Sequence, residues 1–367
     1  MGKKIGVGII GASPGRGWAV DAHIPALLVL DDFEFVALST SRRESADAAA
    51  KAFGVSLAFD NHLDLVNCPE VDLVAVTVKV PHHYELVEAV LAAGKAVYCE
   101  WPLGNGLKEA ITLRDMANTK GCYNAVGLQA RSAPVITYVK SLLAEGYVGE
   151  VLSSTMVADA INWGADTLDC YRYLLDSKSG ASMISIPFGH SIDAFCHSLG
   201  EFTELSATTA TRRKEIKLID TGEIVASDVA DQLALHGVLE SGAVASVHFR
   251  GGLSRSDNFK WEINGTEGDL VIRSGGGHIQ MLPMQLYGAR GTEKLAEMAV
   301  PKEFNPLGSL LPDGPSASVA RAYLRLATEL NGGERQLPGF EEATLRHKML
   351  TAIERSAATG TKQSYLA

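Results

Sequence analysis

Lys4-Ile-Gly-Val-Gly-Ile-Ile-Gly-Ala-Ser-Pro-Gly-Arg-Gly-Trp-Ala-Val-Asp-Ala-His-Ile-Pro-Ala-Leu27 decides the fold. An apolar run, Ile5 to Ile10, stops at Gly11-Ala-Ser-Pro-Gly15-Arg-Gly17, and a helix-compatible stretch follows. Strand, glycine turn and helix in that order bring a pyrophosphate onto the unpaired N–H groups of a helix N-terminus. Glycine suits the turn because a side chain would block the approach of backbone to phosphate. The spacing departs from a strict G-x-G-x-x-G, since an insertion carries Pro14, Gly15, Arg16 and Gly17. The context supports it: a second strand-like run, 33–39, follows at the expected distance. The stretch predicts a dinucleotide site with Gly11, Ser13, Pro14 and Gly15 at the phosphates.

Composition narrows the setting. The 367 residues suggest two domains, and an apolar content of 46% allows a sizeable core. A net charge of −10 without a basic run argues against a nucleic-acid partner. No apolar run has the length of a membrane span, and the N-terminus lacks the form of a signal peptide. The five cysteines are scattered and make no C-x-x-C pair, so neither zinc nor a disulfide framework is expected. The expected setting is cytoplasmic, with no membrane partner and no metal.

Pattern along the chain predicts an α/β fold. Strands are expected at 4–10, 33–39, 72–78, 95–99 and 123–128, and helices at 19–30, 43–53, 61–66, 82–93 and 106–119. This alternation implies a doubly wound parallel sheet, a Rossmann domain over 1–130. A helix at 134–145 leads on, and from about residue 150 the strands become longer and alternating: 150–159, 202–212, 229–239, 243–249, 258–264 and 269–273. They predict a large, mainly antiparallel open sheet in a substrate-binding and oligomerisation domain, 131–367. A helix at 188–199 interrupts it, and helices at 316–331 and 339–359, which are free to pack back on the first domain, end the chain.

Ligands of open α/β sheets bind beyond the carboxyl ends of the strands. At the end of the second strand, Ser41, Arg42 and Arg43 stand where an acid would hold an NAD ribose. Hydroxyls and guanidiniums there suit a 2′-phosphate, so the expected cofactor is NAD or NADP, with a lean to NADP. Lys79 is expected at a buried strand end, where a lysine needs a partner. His83, Glu100, Trp101 and Gln129 are expected near the cofactor, and Arg131 and Trp163 at the substrate. On the helix of the second domain His190, Asp193 and His197 share a face. His190 has the chemistry of a proton acceptor, with Asp193 beside it as a second catalytic and substrate-binding group.

AGKAVYCEWPL at 93–103, GLQAR at 127–131, GHSID at 189–193 and INGTEGDL at 263–270, with the glycine turn, resemble the glucose-fructose oxidoreductase / inositol dehydrogenase (Gfo/Idh/MocA) family. GWAVDAHIPALL, CEWPL, FGHSIDAF and HFRGG are similar to its branch containing the fungal galactose-regulon repressor. The resemblance implies a Rossmann domain plus an open-sheet domain. It implies reversible hydride transfer between NAD(P) and a hydroxyl of a sugar or glycoside, in a homodimer or homotetramer formed through the C-terminal sheet. Two positions depart from the family. Its Glu-Lys-Pro is Glu100-Trp101-Pro102 here, and its Asp-x-x-x-His is Ile186-Pro-Phe-Gly-His190. Loss of the lysine that polarises the reacting oxygen can cost orders of magnitude in rate. Lys79, Tyr171 and Tyr173 are candidates to replace it. The expected function is therefore an NAD(P)-dependent sugar oxidoreductase with His190 as proton acceptor. The alternatives are an NAD-dependent glycosidase that oxidises and reduces within one turnover, and a non-catalytic dinucleotide-binding regulator.

Overall fold

The computed structural model describes residues 4–366, which form two compact units. The first contains residues up to Gln129 and Leu307–Thr344, and the second contains Ala130–Pro306 and the chain from Leu345 onward.

The first unit alternates strand and helix: β1 (Ile5–Ile10), α1 (Ile24–Leu28), β2 (Phe33–Ser39), α2 (Arg43–Phe53), β3 (Leu57–Phe59), α3 (His62–Val66), β4 (Leu73–Val76), α4 (His83–Ala92), β5 (Ala96–Glu100), α5 (Leu107–Lys120) and β6 (Asn124–Gly127). The strands form one parallel sheet in the order β3-β2-β1-β4-β5-β6. Val7, Ile9, Leu73, Val74, Ala75 and Val76 are fully buried, as strands covered on both faces require. The sequence pattern did not reveal β3, which is only three residues long.

The second unit carries α6 (Pro134–Ala144), β7 (Val151–Ala160), β8 (Asp166–Thr167), α7 (Gly189–Leu199), β9 (Phe202–Ala210), β10 (Glu215–Leu218), β11 (Ile224–Ala226), β12 (Gln232–Leu239), β13 (Val244–Gly251), β14 (Phe259–Gly265), β15 (Gly268–Ser274), β16 (Met284–Arg290) and β17 (Ala296–Met298). Eight of these strands make a mixed sheet in the order β17-β16-β15-β14-β7-β13-β12-β9, in which only β7 and β13 run parallel. Strands β8, β10 and β11 form a separate small sheet.

Alternation along β13 explains its packing. Ala245, Val247 and Phe249 are buried, while Val244, Ser246 and His248 are exposed on the other face. Helix α7 covers the buried face: the Phe195 ring stacks on Trp261 at 5.3 Å, and Phe188 meets Phe249 edge-on at 5.7 Å. Each such aromatic burial is worth about 2–3 kcal/mol.

Helix α8 (Pro315–Leu330) belongs to the first unit. Pro315 starts it, and Val319, Tyr323 and Leu326 recur at helical spacing as its buried stripe. Tyr323 stacks on Tyr98 of β5 at 5.6 Å and meets the His23 ring edge-on. The last helix, α9, spans Phe340–Thr359. Among the described residues no helix is long and apolar enough to cross a membrane.

Candidate functional site

The turn after β1 is pinned at its start and open at its tip. Gly11 donates its N–H to the Ser39 carbonyl at 3.0 Å, and Ser13 donates to the Gly11 carbonyl at 3.1 Å. Gly11 has φ +102°, and a Cβ there would stand 2.8 Å from Val78 Cγ1. Only glycine fits so close to the end of β4. Gly15 and Gly17 also have positive φ, yet nothing lies within 4 Å of a Cβ placed on either. The exposed segment Pro14–Gly17 therefore leaves backbone accessible. Val20 and Asp21 then donate to the Gly17 carbonyl, starting a helical run that continues into α1. Close packing at Gly11 with open glycines beyond it fits a dinucleotide pyrophosphate.

At the carboxyl end of β2, Ser41, Arg42 and Arg43 are all exposed. Arg43 is engaged: it donates to the Ala58 carbonyl and lies 3.5 Å from Asp47. Arg42 opens α2 in extended conformation. Thr40 and Ser45 hydroxyls both donate to its carbonyl, which orders the backbone of the turn. No acid follows β2 before Glu44.

The ends of β4, β5 and β6 correct several expectations. Lys79 is exposed, so no burial cost makes it unusual. His83 is 1% exposed, and both of its nitrogens contact carbonyls, Pro102 O at 2.7 Å and Val78 O at 3.0 Å. Burial lowers its pKa, so it is a neutral ring bridging two strand ends and is not presented to a cofactor. Glu100 is also buried. Its carboxylate accepts from Gln129 Nε2 at 2.8 and 2.7 Å and contacts His23 Nε2 at 2.8 Å, while His23 Nδ1 lies 2.8 Å from the Tyr323 hydroxyl. Glu100 therefore holds neighbours in place and does not reach outward for a ligand. Gly127 makes room for it, since a Cβ there would lie 2.6 Å from Glu100 Oε2. Gln129 retains a buried Oε1 with no hydrogen-bond partner, an acceptor that suits an amide N–H. Trp101 is 5% exposed and packed into the first unit's interior.

In the second unit, α7 carries the other group of residues. Asp193 is fully buried, and Arg131 Nε and Nη2 each donate to one of its oxygens at 2.7 Å. Arg346, also fully buried, donates to Asp193 at 3.4 Å and to Glu201 at 2.7 and 3.1 Å. Burial alone would raise the Asp193 pKa, but the two guanidiniums outweigh it and hold the carboxyl below its usual range. Asp193 thus anchors Arg131 and also bears on the charge of His190. The same ion pair occupies the Arg131 fork, which the sequence assigned to substrate.

His190 is 3% exposed, and its buried Nδ1 has no hydrogen-bond partner. Burial pushes its pKa down to about 3, a shift that Asp193 opposes and His278 reinforces. Position 186, one turn earlier, holds Ile186 and supplies no carboxylate to the ring. Trp163 is 2% exposed, with its indole N–H donated to the Leu174 carbonyl and a ring face against His278. Its indole packs against His278 in the interior of the second unit. Tyr173 is half-buried, and burial raises its hydroxyl to about 12, so it stays protonated at neutral pH. Among the described residues no group of three or more His, Cys, Asp or Glu could hold a metal ion.

Several residues of these networks were not foreseen, among them His23, Tyr323, Glu201, His278, Gln280 and Arg346. His23 and Tyr323 are partners across 300 positions, a separation without local signal. Arg346 sits in a charged helical stretch that reads as solvent-facing. His278 and Gln280 follow Gly275-Gly-Gly277, which reads as a plain loop.

A parallel sheet in the order 3-2-1-4-5-6 with a glycine turn after its first strand defines a dinucleotide-binding Rossmann unit. Residues 5–128 match the family model "Oxidoreductase family, NAD-binding Rossmann fold", and residues 134–274 match "Gal80p, C-terminal domain". The dehydrogenase aclE of Aspergillus oryzae is 31% identical, covering 100% of this chain and 99% of its own length. The galactose/lactose metabolism regulatory protein GAL80 of Saccharomyces cerevisiae is 27% identical over 77% of this chain and 70% of its own. Among solved structures, a super-repressor mutant of Gal80p from Saccharomyces cerevisiae superposes with a TM-score of 0.91 at 22% identity, covering 99% of both chains. Levoglucosan dehydrogenase in complex with NADH and levoglucosan superposes at 0.85 and 22%, covering 100% of both. This chain belongs to the Gfo/Idh/MocA oxidoreductase family, on the branch with a Gal80-like C-terminal domain, and carries its NAD-binding Rossmann domain.

Proposed function

We propose that the protein is an NAD(P)-dependent dehydrogenase that oxidises a hydroxyl of a sugar or glycoside, with His190 as the proton acceptor. His190 carries this reading: a neutral imidazole, almost fully buried, whose Nδ1 no described residue engages. The open Nδ1 can accept a hydrogen bond from a hydroxyl, and because burial holds the ring near 3, proton transfer requires that the loaded site raise its pKa toward neutrality. The Gly11 turn would hold the pyrophosphate, and the Gln129 Oε1 would accept from the carboxamide. Arg42 would meet a 2′-phosphate, which favours NADP. When bound, the nicotinamide supplies the hydride acceptor. Relatives named dehydrogenases support the same reading.

A second reading is a dinucleotide-binding regulator. Trp101 in place of the family lysine and Ile186 in place of the aspartate favour it, because both remove charge that promotes reaction. The Gal80 relatives are consistent with it.

One experiment separates these readings. Purified protein is incubated with each cofactor and a panel of free sugars and glycosides. The dehydrogenase reading predicts reduced nicotinamide in the wild type and its loss in His190→Ala, with cofactor affinity kept. Cofactor binding without turnover on any sugar favours the regulator. A glycoside cleaved only with cofactor present, and with no reduced nicotinamide accumulating, points to redox-assisted hydrolysis.

A further inference from the structure

The segment 275–283, between β15 and β16, contains two buried polar side chains with unengaged atoms. His278 is 6% exposed and Gln280 is 3% exposed, and neither His278 Nδ1 nor Gln280 Oε1 has a hydrogen-bond partner. Burying such an atom unpaired costs about 1–3 kcal/mol. The segment is built with precision. Gly277 donates to the Asp159 carbonyl at 2.8 Å, and a Cβ on Gly277 would stand 2.4 Å from Phe249 Cζ. Met281 and Leu282 both donate to the His278 carbonyl, closing a tight turn. The His278 ring lies nearly parallel to Trp163, 6.1 Å away at 21°.

The same segment is joined to the start of α7. Ser191 donates its hydroxyl to the Gly277 carbonyl at 2.8 Å. The residues next to that bond, His190 and His278, are both buried imidazoles with an unpartnered Nδ1. His278 lies near enough to bear on the charge of His190. Two neutral rings and an amide oxygen, each with an unpartnered buried atom, can bind hydroxyl groups.

We propose that His278, assisted by Gln280, is a second substrate-binding residue: it holds a hydroxyl adjacent to the one His190 acts on, so the site selects a vicinal diol. Trp163 fixes the plane of its ring. This inference rests on the dehydrogenase reading of His190.

The test uses the full protein loaded with NADH, its histidines isotope-labelled, and assigns the imidazole nitrogen resonances through His190→Gln and His278→Phe. The probes are D-glucose, D-galactose, myo-inositol and 1,6-anhydroglucose, with the monodeoxy analogues of whichever binds. A sugar that binds moves the resonances of both rings. One monodeoxy analogue moves His190 alone and binds about 10- to 100-fold more weakly, as loss of a hydrogen bond in a buried site requires. His278→Phe, which keeps a ring against Trp163, gives a similar loss for the parent sugar and none for that analogue. His190 moving alone with every sugar overturns the inference and leaves the dehydrogenase reading standing. Neither ring moving with any probe overturns both.

Discussion

Arg131 grips Asp193 with two parallel hydrogen bonds of 2.7 Å, and the carboxylate it grips is completely buried. Arg346 approaches the same carboxylate from α9. One buried acid therefore faces two guanidiniums; its removal takes both short hydrogen bonds from Arg131, while Arg346 keeps its pair with Glu201. Asp193→Asn should destabilise the protein by about 3–5 kcal/mol, the cost of breaking a buried pair from one side. The exposed pair Lys362–Glu204 provides the contrast, since Lys362→Ala should cost no more than about 1 kcal/mol. Chemical denaturation of both variants measures the difference.

Protonation of His190 gives a second prediction. The unfolded chain binds this proton near the ordinary value of 6.5, and the folded chain does not until about pH 3. Between those values the unfolded state holds more protons, so stability falls as pH falls, by up to about 1.4 kcal/mol per pH unit from this group. Above pH 6.5 the contribution is flat. His190→Gln should remove that part of the slope without altering the curve above pH 7 or so. Denaturation midpoints of both proteins across the acid range supply the comparison.

Ile186 stands one turn before His190, where the family has an aspartate. Ile186→Asp should raise the His190 pKa by about 1–3 units, the effect of a carboxylate a few ångströms away. Titration of the imidazole resonance reads the change directly. A value that stays near 3 would mean that the new carboxylate does not reach the ring.

Arg42 is the cation at the end of β2 that would distinguish the cofactors. Arg42→Ala should weaken NADP binding by about 10- to 100-fold, the loss of a charge-assisted hydrogen bond, while NAD binding changes little. Arg43→Ala should have a smaller effect, since its guanidinium already serves the Ala58 carbonyl. Calorimetric titration of each variant with each cofactor separates the two arginines.

The architecture was readable where apolar period and turn chemistry agree. The buried run Leu73–Val76 and the alternation of β13 identify one sheet covered on both faces and one covered on a single face. Short or interrupted strands were not readable. Leu57–Phe59 is too brief for a period to appear, and Met284–Arg290 contains Gly288 and follows Pro283. At the candidate site the sequence singles out His190 and the glycine turn, while the hydrogen-bond partners of Glu100 and Asp193 are not legible in it. Glu100 and Asp193 looked like ligand contacts because acids at strand ends and helix starts often are. What decided their roles was His23, Gln129, Arg131 and Arg346, contributed by other parts of the fold. Such pairings depend on three-dimensional neighbours, to which local periodicity is blind.

Isotope transfer tests the central claim most directly. The protein is incubated with oxidised cofactor and sugars deuterated at each hydroxyl-bearing carbon, and the recovered dinucleotide is weighed by mass spectrometry. The account predicts deuterium on the nicotinamide from one carbon of at least one sugar, and none with His190→Ala. A dinucleotide that binds tightly yet is recovered without deuterium from every sugar would contradict it.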